Sequence, residues 1–134
     1  MAWFLDTNAC IAHLRGRQPQ LSARWQQHRA EDLAIPLTTY AELLVGAENS
    51  SQPERVLRQI ELLLEAHEIV EITEEVAEHY ARIRADLETR GTTIGGNDLW
   101  IAATALAYGA TLVTNNTGEF LRVPGLLVED WTQA

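Results

Sequence analysis

Two patterns of apolar residues alternate along the chain. Trp3–Leu5, Leu33–Ile35 and Ala110–Thr114 are short, nearly unbroken apolar runs, the pattern of strands buried on both faces. Ile69–Ile72 and Leu126–Val128 predict two weaker strands. Between the runs the period lengthens to that of a helix. From Pro53, the residues Val56, Leu57, Ile60, Leu63 and Leu64 recur as one stripe, and proline suits the first turn of the helix they predict. Thr73 is placed to cap a second helix with Val76, Tyr80, Ile83 and Leu87 on one face, which Gly91 stops. A third opens at Asn97 or Asp98 and runs from Leu99 to Tyr108, where Gly109 ends it. Its segment Ile101–Leu106 is apolar almost all round, which predicts burial on more than one side. Strands separated by helices predict an α/β fold with a mainly parallel sheet, whose ligands sit beyond the carboxyl ends of the strands. Polar residues that close the apolar runs therefore draw the most attention.

With 134 residues, 46% of them hydrophobic and 22% charged, the chain fits one foldable domain, and no repeat or Gly/Ser/Pro-rich linker divides it. Charge narrows the function more sharply. Nineteen acids face ten arginines and no lysine, a net charge of −9. That excludes a general electrostatic coat for nucleic acid. A polyanion can be met only through a few placed arginines or through bound cations. The single cysteine, Cys10, cannot close an internal disulfide, which suits a reducing compartment. No segment has the apolar length of a signal peptide core or a membrane span, so a soluble cytoplasmic protein is expected.

Most acids, such as Glu61, Glu65, Glu74 and Glu78, lie on polar helix faces and read as solvated surface. A few positions differ. Asp6 follows the first strand directly, where it serves either as the cap of the next helix or as a functional carboxylate. Glu42 stands three residues after Thr39, the spacing of a capping box. If the helix begins at Leu37 or Thr38, Glu42 instead falls in its second turn, facing solvent or the end of the sheet. Asp98 follows Gly95-Gly96-Asn97, where glycines permit positive φ or a close approach, and it too can be a cap, a functional group or both. Thr114-Asn115-Asn116-Thr117-Gly118-Glu119 follows the third strong strand, and turn chemistry alone accounts for its small polar residues. Taken together, these positions fall on termini that an α/β fold can bring to one edge. Carboxylates gathered there without a basic partner repel one another unless protonated or neutralised by a divalent, oxygen-seeking cation such as Mg²⁺ or Mn²⁺.

The segments Phe4–Asn8, Thr38–Gly46, Gly95–Ala103, Leu112–Asn116, Glu119-Phe120 and Gly125–Trp131 resemble, in order and over almost the whole chain, the PIN-domain ribonucleases, and among them the VapC toxins of bacterial toxin–antitoxin pairs. The resemblance implies a single PIN domain over residues 1–134, with a three-layer α/β/α fold. It implies a toxic endoribonuclease dependent on Mg²⁺ or Mn²⁺, leaving 5′-phosphate and 3′-hydroxyl ends. Asp6, Glu42 and Asp98 match the family's metal-binding acids. Asn116 matches a catalytic position where many relatives carry Asp; the lost charge implies one firm and one weaker metal site. Glu119 can add a carboxylate, while Thr114 and Asn8 would orient the ligands. The implied partners are an RNA substrate (a tRNA or ribosomal RNA loop by analogy), a cognate VapB-like antitoxin whose C-terminal segment blocks the site, and a second copy in a homodimer.

Arg15 and Arg17, after the first helix, either guide RNA phosphates or are solvated charge. The stripe from Val56 to Leu64 is either core or a groove for an antitoxin helix. His13, His28, His67 and His79 stand at no ligand or base spacing and are expected at the surface or partly buried. Three other readings remain. A haloacid-dehalogenase phosphatase uses Asp-x-Asp, but the chain has Asp6-Thr7-Asn8. A receiver domain needs a mid-chain acceptor Asp after a strand, whereas Asp32 precedes its strand. A noncatalytic module with this fold would lack metal affinity and toxicity.

Overall fold

The computed structural model describes residues 1–133. In chain order its elements are β1 (Trp3–Leu5), α1 (Thr7–Arg15), α2 (Pro19–Gln27), a 3-10 turn (Ala30–Asp32), β2 (Leu33–Pro36), α3 (Leu37–Glu48), α4 (Pro53–Ala66), β3 (Glu68–Val70), α5 (Glu74–Arg90), α6 (Gly96–Tyr108), β4 (Thr111–Val113), α7 (Thr117–Phe120) and β5 (Val128–Glu129). The five strands form one sheet in the order β3-β2-β1-β4-β5, every neighbouring pair parallel. The chain winds outward from β1 to β2 and β3, then crosses to β4 and β5 on the other side. The strand order thus reverses between β1 and β4, the place where open α/β sheets form a ligand crevice.

Alternation of side chains along the strands splits the core into two. Phe4 and Leu112 face a cluster built with Val76, Ile83 and Leu87 of α5 and Leu99, Ile101 and Ala102 of α6. Leu5, Val113, Leu33 and Ile35 face the opposite layer, where Cys10 of α1, Trp25 of α2, Leu43 of α3 and Ile60 of α4 pack. Ala102, Ala103 and Ala105 are fully buried, so the small side chains of α6 let it lie close between α5 and the sheet. In the stripe of α4, Ile60 and Leu63 are buried and Val56 and Leu64 partly so, which makes these four chiefly core, while Leu57 is exposed.

Several local expectations shift. α6 starts at Gly96 with Gly95 as its cap, so neither Asn97 nor Asp98 caps it. Neither glycine has positive φ, so the pair is not there for left-handed backbone. α3 starts at Leu37, with no side-chain cap, and the Thr39 hydroxyl donates instead to the Leu5 carbonyl (3.1 Å). No capping box forms, and Glu42 falls in the second turn. β5 begins two residues later than the expected Leu126–Val128, because the turn after Val123, with Gly125 at φ 80°, consumes Leu126. α2 has few apolar residues and little periodic signal; Leu21 and Trp25 alone are buried in it.

Candidate active site

Strand register brings the first part of the site together. Leu5 is level with Val113, and Val113 with Glu129, so Asp6, Thr114 and Asp130 are the next residues along three adjacent parallel strands. The backbone ladder continues through them, since Asp6 N donates to Val113 O (3.1 Å) and Thr114 N to Glu129 O (3.0 Å). Asp6 is only 3% exposed. It caps α1 through Oδ1, which accepts from Ala9 N (2.8 Å), so it is a helix cap within the cluster of acids. Burial lifts its carboxyl to about 6; hydrogen bonds from Thr114 and Ala9 N oppose the rise, and the charges of Glu42 and Asp130 add to it.

Helix α6 brings Asp98, in its first turn, to the same place. Asp98 is lifted to about 7, first by burial, then by sharing a hydrogen bond with the Glu119 carboxyl, and further by the charges of Glu119, Asp6 and Glu42. A Cβ added at Gly95 would meet Asp98 Oδ2 at 3.8 Å, an ordinary contact. Glu119, on α7, accepts from Asn116 Nδ2 at Oε2 (2.7 Å), and Asn116 N donates to Thr114 Oγ1 (2.9 Å). Glu42, on α3, accepts from Thr7 Oγ1 at Oε1 (2.5 Å) and from Asn97 Nδ2 at Oε2 (3.3 Å).

The cluster therefore contains Asp6, Glu42, Asp98, Glu119 and Asp130, with Thr114 and Asn116 between them. Asn8 is exposed, and its neighbour Thr7 is the residue that bonds Glu42. Arg15 and Arg17 lie exposed at the opposite end of α1. Asp130 was not singled out in the sequence, although it closes a strand just as Asp6 does. Its Oδ1 accepts from Thr132 N (2.9 Å) and Thr132 Oγ1 (2.5 Å). Flanking it, Glu129 accepts from the indoles of Trp3 (3.3 Å) and Trp131 (2.9 Å) and pairs with Arg24 (3.3 Å), which pins this stretch to the sheet.

Among the described residues, no ion pair involves Asp6, Glu42, Asp98 or Glu119. Buried and half-buried acids drawn together and unanswered by any base are the donor set that a hard divalent cation stabilises. Also among the described residues, no three His, Cys, Asp or Glu side chains form a ready cage. A cation held there would keep much of its water shell, as Mg²⁺ does. The histidines stand apart: none hydrogen-bonds an acid of the cluster among the described residues. His67, expected at the surface or partly buried, is buried at 7% exposure; Trp25 Nε1 donates to its Nε2 (3.1 Å) and its Nδ1 meets Ala30 O (3.0 Å). Both ring nitrogens are used in joining α2 to the loop before β2.

Known proteins resemble this chain over nearly its full length. The PIN domain family model matches residues 3–126. Ribonuclease VapC1 of Haemophilus influenzae (strain R2866) is 39% identical over 134 residues, spanning 99% of this chain and 100% of that protein. The tRNA(fMet)-specific endonuclease VapC of Salmonella typhimurium is 36% identical over 131 residues, 98% of each chain. The crystal structure of DNA-bound VapBC from Salmonella typhimurium superposes with a TM-score of 0.92 at 36% identity, again over 98% of each chain. With its parallel sheet, its acids at the β1/β4 crevice and these full-length relatives, the chain belongs to the PIN domain family, among the VapC ribonucleases.

Proposed function

We propose that this protein is a divalent-metal-dependent endoribonuclease, a single PIN domain that acts as the toxin of a toxin–antitoxin pair and is held in check by a VapB-like antitoxin. One observation carries the reading: Asp6 at the end of β1 and Asp98 in the first turn of α6 meet at the sheet's crevice beside Glu42 and Glu119, and among the described residues no arginine pairs with any of them. Ionised together, such acids repel one another, and a bound cation offsets that cost. Asp6, Asp98, Glu42 and Glu119 would hold Mg²⁺ or Mn²⁺, with water completing the shell. A cation bound there supplies positive charge against the phosphodiester and makes water a better nucleophile. The chain's own residues do the placing. Thr114 and the Ala9 amide fix the Asp6 carboxylate, Thr7 and Asn97 hold Glu42, and Asn116 holds Glu119. Asn116 thus acts as a donor to the neighbouring acid, Glu119. Asp98, which hydrogen-bonds Glu119, would face the cation in its ionised form.

The VapC relative named for tRNA(fMet) and the VapBC structure support RNA as substrate and VapB as partner, and a homodimer is the assembly we propose. Antitoxin-free protein incubated with RNA and Mg²⁺ or Mn²⁺ tests the reading. Cleavage is expected, EDTA stops it, and Asp98→Asn lowers the rate by ~100-fold or more, as loss of a charge-stabilising group at a phosphoryl centre does. Undiminished cleavage by Asp98→Asn would refute the assignment.

A further inference from the structure

Five of the ten arginines are paired with carboxylates: Arg24, Arg29, Arg58, Arg84 and Arg90. Arg122 donates to the Thr93 carbonyl. Among the described residues, Arg15, Arg17, Arg55 and Arg82 make no ion pair, and the first three of them line one polar pocket of about 550 Å³ with Ser50, Ser51 and Gln52. No acid lines that pocket, although the chain carries nineteen. Three uncompensated guanidiniums beside hydroxyl and amide groups, on a protein of net charge −9, favour a strong anion such as phosphate.

The pocket is not isolated. It shares Leu14, Arg15, Ser50 and Val56 with a groove between α1, α3 and α4 whose other end is lined by Glu42. Asp6 caps the start of α1 and Arg15 is its last residue, a separation of about 13 Å along the helix axis. A strand can therefore cross the acids at one end of α1 and meet positive charge at the other.

We propose that the Arg15/Arg17/Arg55 pocket binds a backbone phosphate of the same RNA whose scissile phosphate lies at the acids. This rests on the endoribonuclease reading and adds to it the handle by which an acidic protein keeps hold of a polyanion. The pocket reads no base. It adds affinity and salt sensitivity, while the acids do the chemistry.

The test compares wild type, the triple variant Arg15→Gln/Arg17→Gln/Arg55→Gln and the control Arg82→Gln, all with Mn²⁺. RNA cleavage at several salt concentrations is measured alongside hydrolysis of bis(p-nitrophenyl) phosphate, a diester too small to reach the pocket. The triple variant is expected to raise KM for RNA ~10-fold or more and to shrink the salt slope by about 2, since each lost contact to single-stranded RNA removes roughly 0.7. Its kcat and its rate on the small diester stay at wild-type values, as does every parameter of Arg82→Gln. The single variants, each changing one exposed side chain, reproduce a share of the effect if the triple variant folds poorly. An unchanged KM and salt slope overturns the proposal. So does an equal loss in Arg82→Gln, which would make it bulk charge, or a loss confined to antitoxin binding, which would make the pocket a protein contact. A wild type that binds no Mn²⁺ and cleaves no RNA removes the nuclease reading, and this inference with it.

Discussion

Replacing Asp6 by Asn separates the demands of the fold from those of the chemistry. The cap survives, because the asparagine Oδ1 still accepts from Ala9 N, and Asn ranks with Asp at that position. The Thr114 hydroxyl, a donor to the aspartate, can turn and accept from the new amide. What disappears is a buried charge. An aspartate raised from 3.8 to about 6 is more costly to ionise in the folded chain than in the unfolded one. At ~1.4 kcal/mol per unit this amounts to about 3 kcal/mol as an upper value. The cost is absent below the unfolded value, grows as pH rises from about 4 to 6, and is complete above the folded value. Urea denaturation in EDTA should therefore find Asp6→Asn more stable than wild type by about 2–3 kcal/mol at pH 8, with the two curves converging near pH 4. Saturating Mn²⁺ should reverse the order at pH 8, because wild type, with all its carboxylates, gains the more binding energy in the folded state. A variant that is no more stable at pH 8, or whose advantage is the same at pH 4, would show that Asp6 does not carry an unfavourable buried charge, and the case for an obligatory cation would fail with it.

Asp130→Asn keeps the turn that Thr132 makes and removes one charge facing Asp6, so Asp6 should titrate lower, as carbon-detected NMR of its carboxyl can show; an unchanged titration refutes their coupling. Thr39→Val leaves the Leu5 carbonyl without its buried donor and should cost about 1–3 kcal/mol in urea denaturation, with Glu42 tilted and cleavage reduced. Trp25→Phe leaves His67 Nε2 without its donor inside the α2/α4 layer; a loss of about 2 kcal/mol at pH 8 is expected from the unmet acceptor and the lost ring, with Mn²⁺ affinity unchanged.

The sequence exposes most of the frame because the frame is written in local periodicity. α4 and α5 have long amphipathic stripes, and Gly91 and Gly109 close α5 and α6 in the left-handed conformation at φ 67° and 65°. Asp6 is legible for the same reason, standing where an apolar run stops. Asp130 follows the same rule but escapes it, since the β5 strand before it is two residues long and displaced by a turn. α2 has only Leu21 and Trp25 to mark its buried face, so nothing periodic announces it. Glu42 is ambiguous locally because its capping box exists in spacing alone; Thr39 is drawn away by the Leu5 carbonyl, a partner 34 residues distant that no window of sequence contains. Pairings of that kind, including Trp25 with His67, are decided by the assembled layers.

The central strand has a consequence for how the protein comes into being. β1 is flanked by β2 and by β4, its partner more than a hundred residues further on. A growing chain that has reached the end of α5 already carries Asp6 and Glu42, yet β1 has an open side and Asp98 has not been made. Parallel pairings over such spans close late and slowly. On the nuclease reading proposed above, a partial translation product lacks an assembled site, and activity begins only once the whole chain has been made.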